Sequence, residues 1–426
     1  MKKTPISRRQ FIAKSSLVPG AAVMSSAISK ANHHGEKKLK MGWVGTGSRG
    51  NYDVRKCLEA EPNSELYAVA DLFEDKVEKG LGRVRQERGE QVNVTPDRIF
   101  YGFDGYRRIL EMEEIDIVFF TTPPGFRPQH FKECIEAGKH AYLEKPGAVD
   151  PVGVRSLIET TELAEKKNLS VTVGMQQRFM PQYVEIIKRL QDGAIGEITN
   201  VGAYWLGTMK NWHWKPRQPE WSDVEYQIRT WPHWTWLSGD CCVEQLVHNL
   251  DISNWVLGKL PTSCRGVGGR IVRNGPEYGN IYDHFSFDYD YEGGVKGLGM
   301  NAQIEGITNK VMNTFNGTKG TAWVSRGGGE IDGVEKYKYR GDKGGDMPLF
   351  TAMFEGIRKG EPMNQGKLLA EATMTGILGR IAAYTGRSLS WKWAMKGSKL
   401  DLTKEVTELG PLPADPHAIP GVTLPV

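Results

Sequence analysis

Three short stretches of this chain carry residue types and spacings capable of chemistry. In Ser238-Gly-Asp-Cys-Cys-Val-Glu244-Gln-Leu-Val-His248-Asn-Leu-Asp251, Glu244 and His248 stand four apart on an expected helix, hence on one face, and that face also carries Asp251. A carboxylate beside an imidazole orients the ring and raises its proton affinity, which suits a general acid–base near neutrality. The same pair also suits a surface or structural ion pair. As metal ligands the two lack a clustered third group, so no metal is expected. Glu144-Lys145-Pro146, at the end of an expected strand, would set an ammonium beside cofactor and substrate; the plainer reading is a solvated surface lysine.

The third stretch is Lys40-Met-Gly-Trp-Val-Gly-Thr-Gly-Ser-Arg-Gly50, with Gly45, Gly47 and Gly50 in the spacing G-x-G-x-x-G. In a dinucleotide cradle Gly45 makes the strand-to-helix turn, Gly47 admits the pyrophosphate and Gly50 lets the helix close on the strand. Free N–H groups around Thr46, Ser48 and Arg49 then face the phosphates. With 50 glycines in the chain, the spacing alone could mark a plain βαβ unit. Context adds to it: the apolar run Leu66–Ala70 ends at Asp71, 21 residues after Gly50, where an acid takes the ribose hydroxyls. No arginine follows Asp71 directly, which favours NAD, while Arg49 keeps NADP open.

These residues need elements to position them. Strand patterns at Ile115–Phe120 and His140–Leu143 alternate with helical ones at Gln129–Ala137 and Pro151–Lys167, and a strand follows at Leu169–Val173. Such alternation predicts a doubly wound parallel sheet, with ligands at its strand ends, where Thr122, Pro123, Glu144 and Lys145 fall. From Gly174 the texture changes to alternating strands at Ile198–Trp205, Ser263–Val272, Asp283–Tyr291, Val295–Met300 and Gly320–Val324. Glycine-rich turns between them predict a large, mostly antiparallel sheet. Gln365–Tyr384 has helical spacing and should pack back on a sheet. The tail, with Pro411, Pro413, Pro416, Pro420 and Pro425, should run as an extended arm on this subunit or a neighbour.

The expected organisation is α/β plus α+β: a signal over 1–31, a Rossmann domain over 38–173, a substrate domain over 174–400 and a proline-rich arm over 401–426. Ser7-Arg8-Arg9-Gln10-Phe11-Ile12-Ala13-Lys14 is a twin-arginine pattern, and Ser29-Lys30-Ala31 offers a cleavage site. The expectation is export of a folded, cofactor-loaded protein by the twin-arginine machinery into the periplasm. The plainer alternative is a basic tail. Removing residues 1–31 takes away six basic and no acidic residues and moves the formal charge from +4 to −2, so nothing argues for nucleic acid. No uncharged apolar run reaches the roughly 18–20 residues of a membrane span, so no stable membrane anchor is expected. Five cysteines without a C-x-x-C pair argue against a disulfide framework or a zinc site.

Seven of the 12 tryptophans fall between Trp205 and Trp236, interleaved with polar residues. Indole faces against the C–H faces of a sugar ring, with polar groups for its hydroxyls, would make a carbohydrate site. The candidates are Trp212, Arg217, Trp221, Tyr226 and Arg229, on a loop roofing the site. Core or interface packing is the alternative for these rings.

Taken in order, the motifs resemble the glucose–fructose oxidoreductase/inositol dehydrogenase (Gfo/Idh/MocA) family. The matches are Gly45, Gly47 and Gly50; Thr122-Pro123; Ala137-Gly-Lys-His140; Glu144-Lys145-Pro146; Gly174-Met-Gln176-Gln-Arg178-Phe179; and Glu244 with His248, across about residues 38–395. The resemblance implies hydride exchange between NAD(P) and a sugar or polyol carbon, and export away from the cytoplasmic pool implies that the nicotinamide is tightly held. In it Lys145 holds the reacting hydroxyl and His248 is the general acid–base. It adds Gln176 to the cofactor residues, and implies a homodimer or homotetramer. Glu244 replaces the family's usual aspartate, Leu246 a common glycine and Arg127 a common histidine, which suggests a subfamily. A second reading on the same scaffold is an NAD-dependent glycosidase that oxidises, eliminates and re-reduces. A third is a non-catalytic sugar-binding protein.

Overall fold

The computed structural model describes residues 37–208, 213–342 and 344–426; the twin-arginine segment and Trp212 lie outside the described residues. Six strands form the first sheet: β1 (Leu39–Val44), β2 (Ser64–Asp71), β3 (Ile99–Tyr101), β4 (Ile117–Phe120), β5 (His140–Leu143) and β6 (Val171–Val173). They run in the order β3-β2-β1-β4-β5-β6, and every pairing is parallel. Central β4 is buried along its whole length, as a strand covered by helices on both faces must be. The reversal of order beside β1 opens a crevice at the carboxyl ends of β1 and β4, the usual ligand position in such sheets.

The second sheet has nine strands: β7 (Ile198–Gly207), β8 (Ser263–Gly269), β9 (His284–Asp290), β10 (Lys296–Gln303), β11 (Lys310–Gly317), β12 (Gly320–Ser325), β13 (Gly328–Asp332), β14 (Lys336–Lys338) and β15 (Leu389–Ser390). Their order is β14-β13-β12-β11-β7-β10-β9-β8-β15, antiparallel except where β10 runs parallel to β7. Strand β11, absent from the sequence expectation, buries Asn313 beside Phe315, so its run KVMNTFNG has no clean apolar alternation; pairing with β7 and β12 makes it a strand.

Helix Gly366–Thr385 is buried almost all round, so it lies inside the protein rather than on its surface. It packs on β8 and β9 and also on helix Pro151–Lys166 of the first domain, tying the two together. Helix Met347–Lys359 likewise returns to the first core, placing Leu349, Phe350, Met353 and Phe354 with Trp43, Phe119 and Tyr142. No helix among the described residues is long and apolar enough to cross a membrane. The arm from residue 401 lies on this subunit. The Leu402 N–H donates to Asp150, the Leu412 N–H to Asp223 and the Tyr282 hydroxyl to the Ala418 carbonyl. All five cysteines are free and buried.

Candidate active site

The turn after β1 has the shape of a dinucleotide cradle. Gly45 sits at φ +87°, a conformation that L side chains rarely adopt. A Cβ at Gly50 would lie 2.1 Å from Thr121 Oγ1, so only glycine lets helix Ser48–Ala60 approach the sheet this closely. A Cβ at Gly47 would meet nothing within 4 Å, which leaves open space where a pyrophosphate would lie. The helix start has no side-chain cap, so its N–H groups at Ser48 and Arg49 stay available to an anion. Asp71 Oδ2 accepts from the Thr46 N–H (2.6 Å) and hydroxyl (3.0 Å), and Oδ1 accepts from the Phe73 N–H (3.1 Å). The acid therefore buttresses the turn, and Oδ1 keeps lone-pair capacity for a ribose hydroxyl. These residues fit a dinucleotide.

Two side chains expected at the cofactor turn elsewhere. The Arg49 guanidinium lies against Glu144 (2.8 Å), Asp53 (2.9 Å) and Asp346 (3.2 Å), so it reaches carboxylates rather than a phosphate. Glu144 is buried; its Oε1 accepts from Arg49 Nε and the Tyr142 hydroxyl, and Oε2 from the Lys145 N–H. One arginine cannot neutralise three carboxylates. Burial pushes the Asp53 carboxyl up, while at Glu144 burial is more than offset by Arg49 and Lys145, which hold its carboxyl below the ordinary value.

Lys145 crosses from the first domain to the second. Its Nζ donates to both the carbonyl and the carboxylate of Glu244. Here the sequence expectation is corrected: Glu244 holds the lysine, not the imidazole. The helix breaks between them, with Cys241–Glu244 and Val247–Leu257 separated by a turn at Gln245 and Leu246. Asp251, expected on the same face, is taken by Arg178 through two 2.8 Å bonds.

His248 is buried, and among the described residues neither its Nδ1 nor Glu244 Oε2 has a hydrogen-bond partner. The imidazole stacks on Trp205 of β7, with ring centroids 5.9 Å apart. Burial, with the charges of Lys145, Arg326 and Arg49 added, holds its pKa well below the ordinary histidine value. The ring is therefore neutral at physiological pH, the opposite direction from the sequence expectation of raised proton affinity.

Thr122 and Pro123 close the crevice at the end of β4, where Thr122 Oγ1 lies 3.1 Å from His130 Nδ1. Arg127, noted only as a departure from the family pattern, is fully buried. Its guanidinium donates to the carbonyls of Thr122 and Pro146, stapling the two strand-end loops that present Pro123 and Lys145. Burial lowers its pKa to about 10. The Gln176 amide, oriented by its neighbours, donates to the Gly174 carbonyl and accepts from Arg326 Nη2 at 2.7 Å.

Among the described residues, the candidates Arg217, Trp221, Tyr226 and Arg229 engage neighbours other than Lys145 and His248. Tyr226 is buried against Trp234 and Trp221, and its hydroxyl donates to the Glu277 carbonyl. Arg229 stacks on Phe73 (3.8 Å) and pairs with Asp75 (3.1 Å) and Glu225 (2.8 Å). Exposed Arg217 caps the Trp221 carbonyl and pairs with Asp223 at 2.8 Å. Trp221, Tyr226, Trp234 and Trp236 join Phe73, Phe126 and the arm's Leu402 and Leu412 in an apolar cluster of their own. Burying large rings against other apolar groups is favourable without any ligand, so packing claims them. Among the described tryptophans of the segment, Trp205 stacks on the His248 ring. Its place at the end of an alternating strand was the signal for it.

A family model described as "Oxidoreductase family, NAD-binding Rossmann fold" matches residues 39–175. A second, described as "GFO/IDH/MocA C-terminal domain", matches residues 183–323, and together they span more than half the chain. An uncharacterised oxidoreductase, YrbE, of Bacillus subtilis is 25% identical over 297 residues, 67% of this chain and 73% of that one. A glycosyl hydrolase family 109 protein of Streptomyces coelicolor is 25% identical over 38% of this chain and only 33% of its own length. Among solved structures, the aldose–aldose oxidoreductase of Caulobacter crescentus superposes with a TM-score of 0.64 at 19% identity, covering 83% of this chain and 99% of that one. With the glycine cradle in one domain and the open sheet in the other, the chain belongs to the GFO/IDH/MocA family of NAD-binding oxidoreductases.

Proposed function

We propose that this protein is an exported oxidoreductase that oxidises a hydroxyl of a sugar, glycoside or polyol. The observation that carries the reading is the contact of Lys145 with Glu244, which brings the ammonium of one domain beside the His248 helix of the other. A bound nicotinamide would supply the hydride acceptor or donor. His248, neutral because it is buried among cations, takes the hydroxyl proton at a ring nitrogen. The Lys145 ammonium, oriented by Glu244, stabilises the charge that develops on the oxygen. Arg127 holds both strand-end loops, so the ammonium and Pro123 keep their separation during turnover. Asp71 favours NAD through the ribose diol, with NADP as the alternative.

The twin-arginine segment supports export to the periplasm of a protein already loaded with cofactor, and the family resemblance supports a homodimer or homotetramer. Tight retention of the nicotinamide follows from export, because the periplasm offers no pool to exchange with. The test is to denature purified protein, measure released NAD(H), and follow reduction of the bound nicotinamide by a sugar panel. Released nucleotide with sugar-dependent reduction supports the reading; clean apoprotein, or a reduction insensitive to K145A and H248A, contradicts it.

The glycosidase reading is favoured by the family 109 relatives, several of which share 23–25% identity with this chain. Aryl glycosides separate the two, since a hydrolase releases phenol with no net reduced nicotinamide.

A further inference from the structure

Among the described residues, three besides glycines have φ in the left-handed range: Asn168, His213 and Asp240. Of these Asp240 alone is buried, with none of its surface exposed. Its φ of +74° is combined with an extended ψ of 162°, a pairing that glycine adopts freely and other residues only under strain. The residue before it, Gly239, is also left-handed, at φ +75°. A second glycine would make the same turn without strain, so what offsets the strain at an aspartate is its side chain.

That side chain is fully engaged. One carboxylate oxygen accepts from the Cys241 N–H, and the other accepts from the Tyr282 N–H at 2.8 Å and from the Tyr384 hydroxyl. The Asp240 N–H donates to Ser238 Oγ at 3.0 Å. Tyr282 lies just before β9, and Tyr384 lies on helix Gly366–Thr385, which ties the domains together. From the same helix, buried Arg380 donates to the Gly239 carbonyl at 2.9 Å and to the Val149 carbonyl of the first domain at 2.7 Å. The turn is thus pinned from the sheet, from the helix and, through Arg380, to the loop after Pro146.

What the turn carries is Glu244. The Asp240 carbonyl accepts from the N–H groups of Val243 (3.0 Å) and Glu244 (2.9 Å), opening the one-turn helix Cys241–Glu244. At the other end of that turn, the Glu244 carbonyl and carboxylate both receive Lys145 Nζ. A single turn has no stability of its own, and the helix breaks again at Gln245 and Leu246, so its direction is set where it begins. We infer that Asp240 is a positioning residue: bridging Cys241, Tyr282 and Tyr384 from a glycine-like backbone, it aims the Cys241–Glu244 turn so that Glu244 holds the Lys145 ammonium in place. The inference rests on the oxidoreductase reading above and adds to it a residue that acts through Glu244 rather than on the reacting atoms.

The test is a cycle on purified holoprotein made of wild type, Asp240→Gly, Lys145→Ala and the double variant. Glycine keeps the backbone turn and removes only the side chain's bonds, so the fold and the bound nicotinamide should both be retained. Single-turnover reduction at saturating sugar should fall about tenfold or more in Asp240→Gly, with the half-saturating sugar concentration within about twofold of wild type. With Lys145 already replaced, removing the Asp240 side chain should change the residual rate by less than about twofold. Asp240→Asn, which retains one acceptor oxygen, should recover part of the rate, and Tyr384→Phe should show a smaller loss of the same kind. A wild-type rate in Asp240→Gly, or a loss that persists undiminished in the Lys145→Ala background, would overturn the inference and leave the oxidoreductase reading standing. Urea unfolding of the same four proteins reads the coupling without turnover. Lys145→Ala should lower the midpoint less in the Asp240→Gly background than in wild type, and equal shifts would overturn the inference. If no sugar reduces the wild-type holoprotein, the oxidoreductase reading falls, and the unfolding cycle still decides whether Asp240 positions the pair. Should Asp240→Gly not fold, Tyr384→Phe takes its place in both cycles.

Discussion

Two of the contacts between the domains differ in character. At the strand ends, Lys145 meets Glu244 through directional polar bonds to its carbonyl and its carboxylate. Beyond the ends of β2 and β4, Phe73 and Phe126 meet Val224, Tyr226, Trp234 and Trp236 through apolar surface, with the proline-rich arm's leucines closing the cluster. Apolar burial scales with area and tolerates small shifts, so it can hold two domains together without fixing any one atom. Polar bonds do the reverse: they contribute little net stability but set positions closely. The molecule thus separates clamping from positioning, and mutations should separate them too.

The sharpest break is at the polar contact. Replacing His248 by Ala removes the proton acceptor, and turnover should fall by about 10²–10⁴-fold with bound nicotinamide retained. Single-turnover reduction of the bound nicotinamide measures this. Glu244→Ala leaves the Lys145 ammonium without its carboxylate. Breaking a buried pair costs about 3–5 kcal/mol, so a large fall in thermal stability should accompany the loss of rate. Glu244→Asp, which restores the family's usual residue, should recover part of both.

The apolar contact should respond oppositely. Trp236→Ala should cost about 3–5 kcal/mol in denaturant unfolding, yet leave the rate per folded molecule within a fewfold of wild type. A rate loss as large as that of His248→Ala would merge the two contacts into one functional unit.

How much of this was legible before the fold was known follows the range of the interactions. The glycine turn, Asp71 and the strand ends were readable because strand, turn and helix are contiguous in the chain, and each glycine does what its spacing implies. The Glu244 partner was not. A four-residue spacing says that two side chains can share a face, but Lys145 approaches from 99 residues away and takes the carboxylate. Trp221 misled because composition cannot distinguish a ring stacked on a ligand from one stacked on another ring; the cluster with Phe73 and Phe126, distant in sequence, decided it. Arg127 stood out as a departure, yet its two carbonyl partners lie on different loops.

Smaller effects sharpen the same contrast. Beneath Thr122, burial lowers the pKa of His130 to about 3. The unfolded chain therefore binds a proton that the folded protein refuses between about pH 6.5 and 3, so this histidine's neutral form favours folding above that window and stability drains away as pH falls through it. Unfolding midpoints measured across that range should show the loss, and His130→Gln should shallow it. Arg229→Ala removes a cation–π contact on Phe73 and an exposed bond to Asp75, together worth about 1 kcal/mol. Because Phe73 follows the Asp71 turn, its measurable consequence should be a modestly faster release of nicotinamide, with turnover little changed.

The account stands on Lys145 and His248 acting on one reacting hydroxyl, and a double-mutant cycle on single-turnover reduction addresses that directly. If both side chains serve the same proton transfer, K145A, H248A and the double variant should be crippled to similar extents, the double far less than the product of the two single losses. Losses that simply multiply, or a variant of either residue that still reduces its nicotinamide at the wild-type rate, would show that the two groups do not share a site.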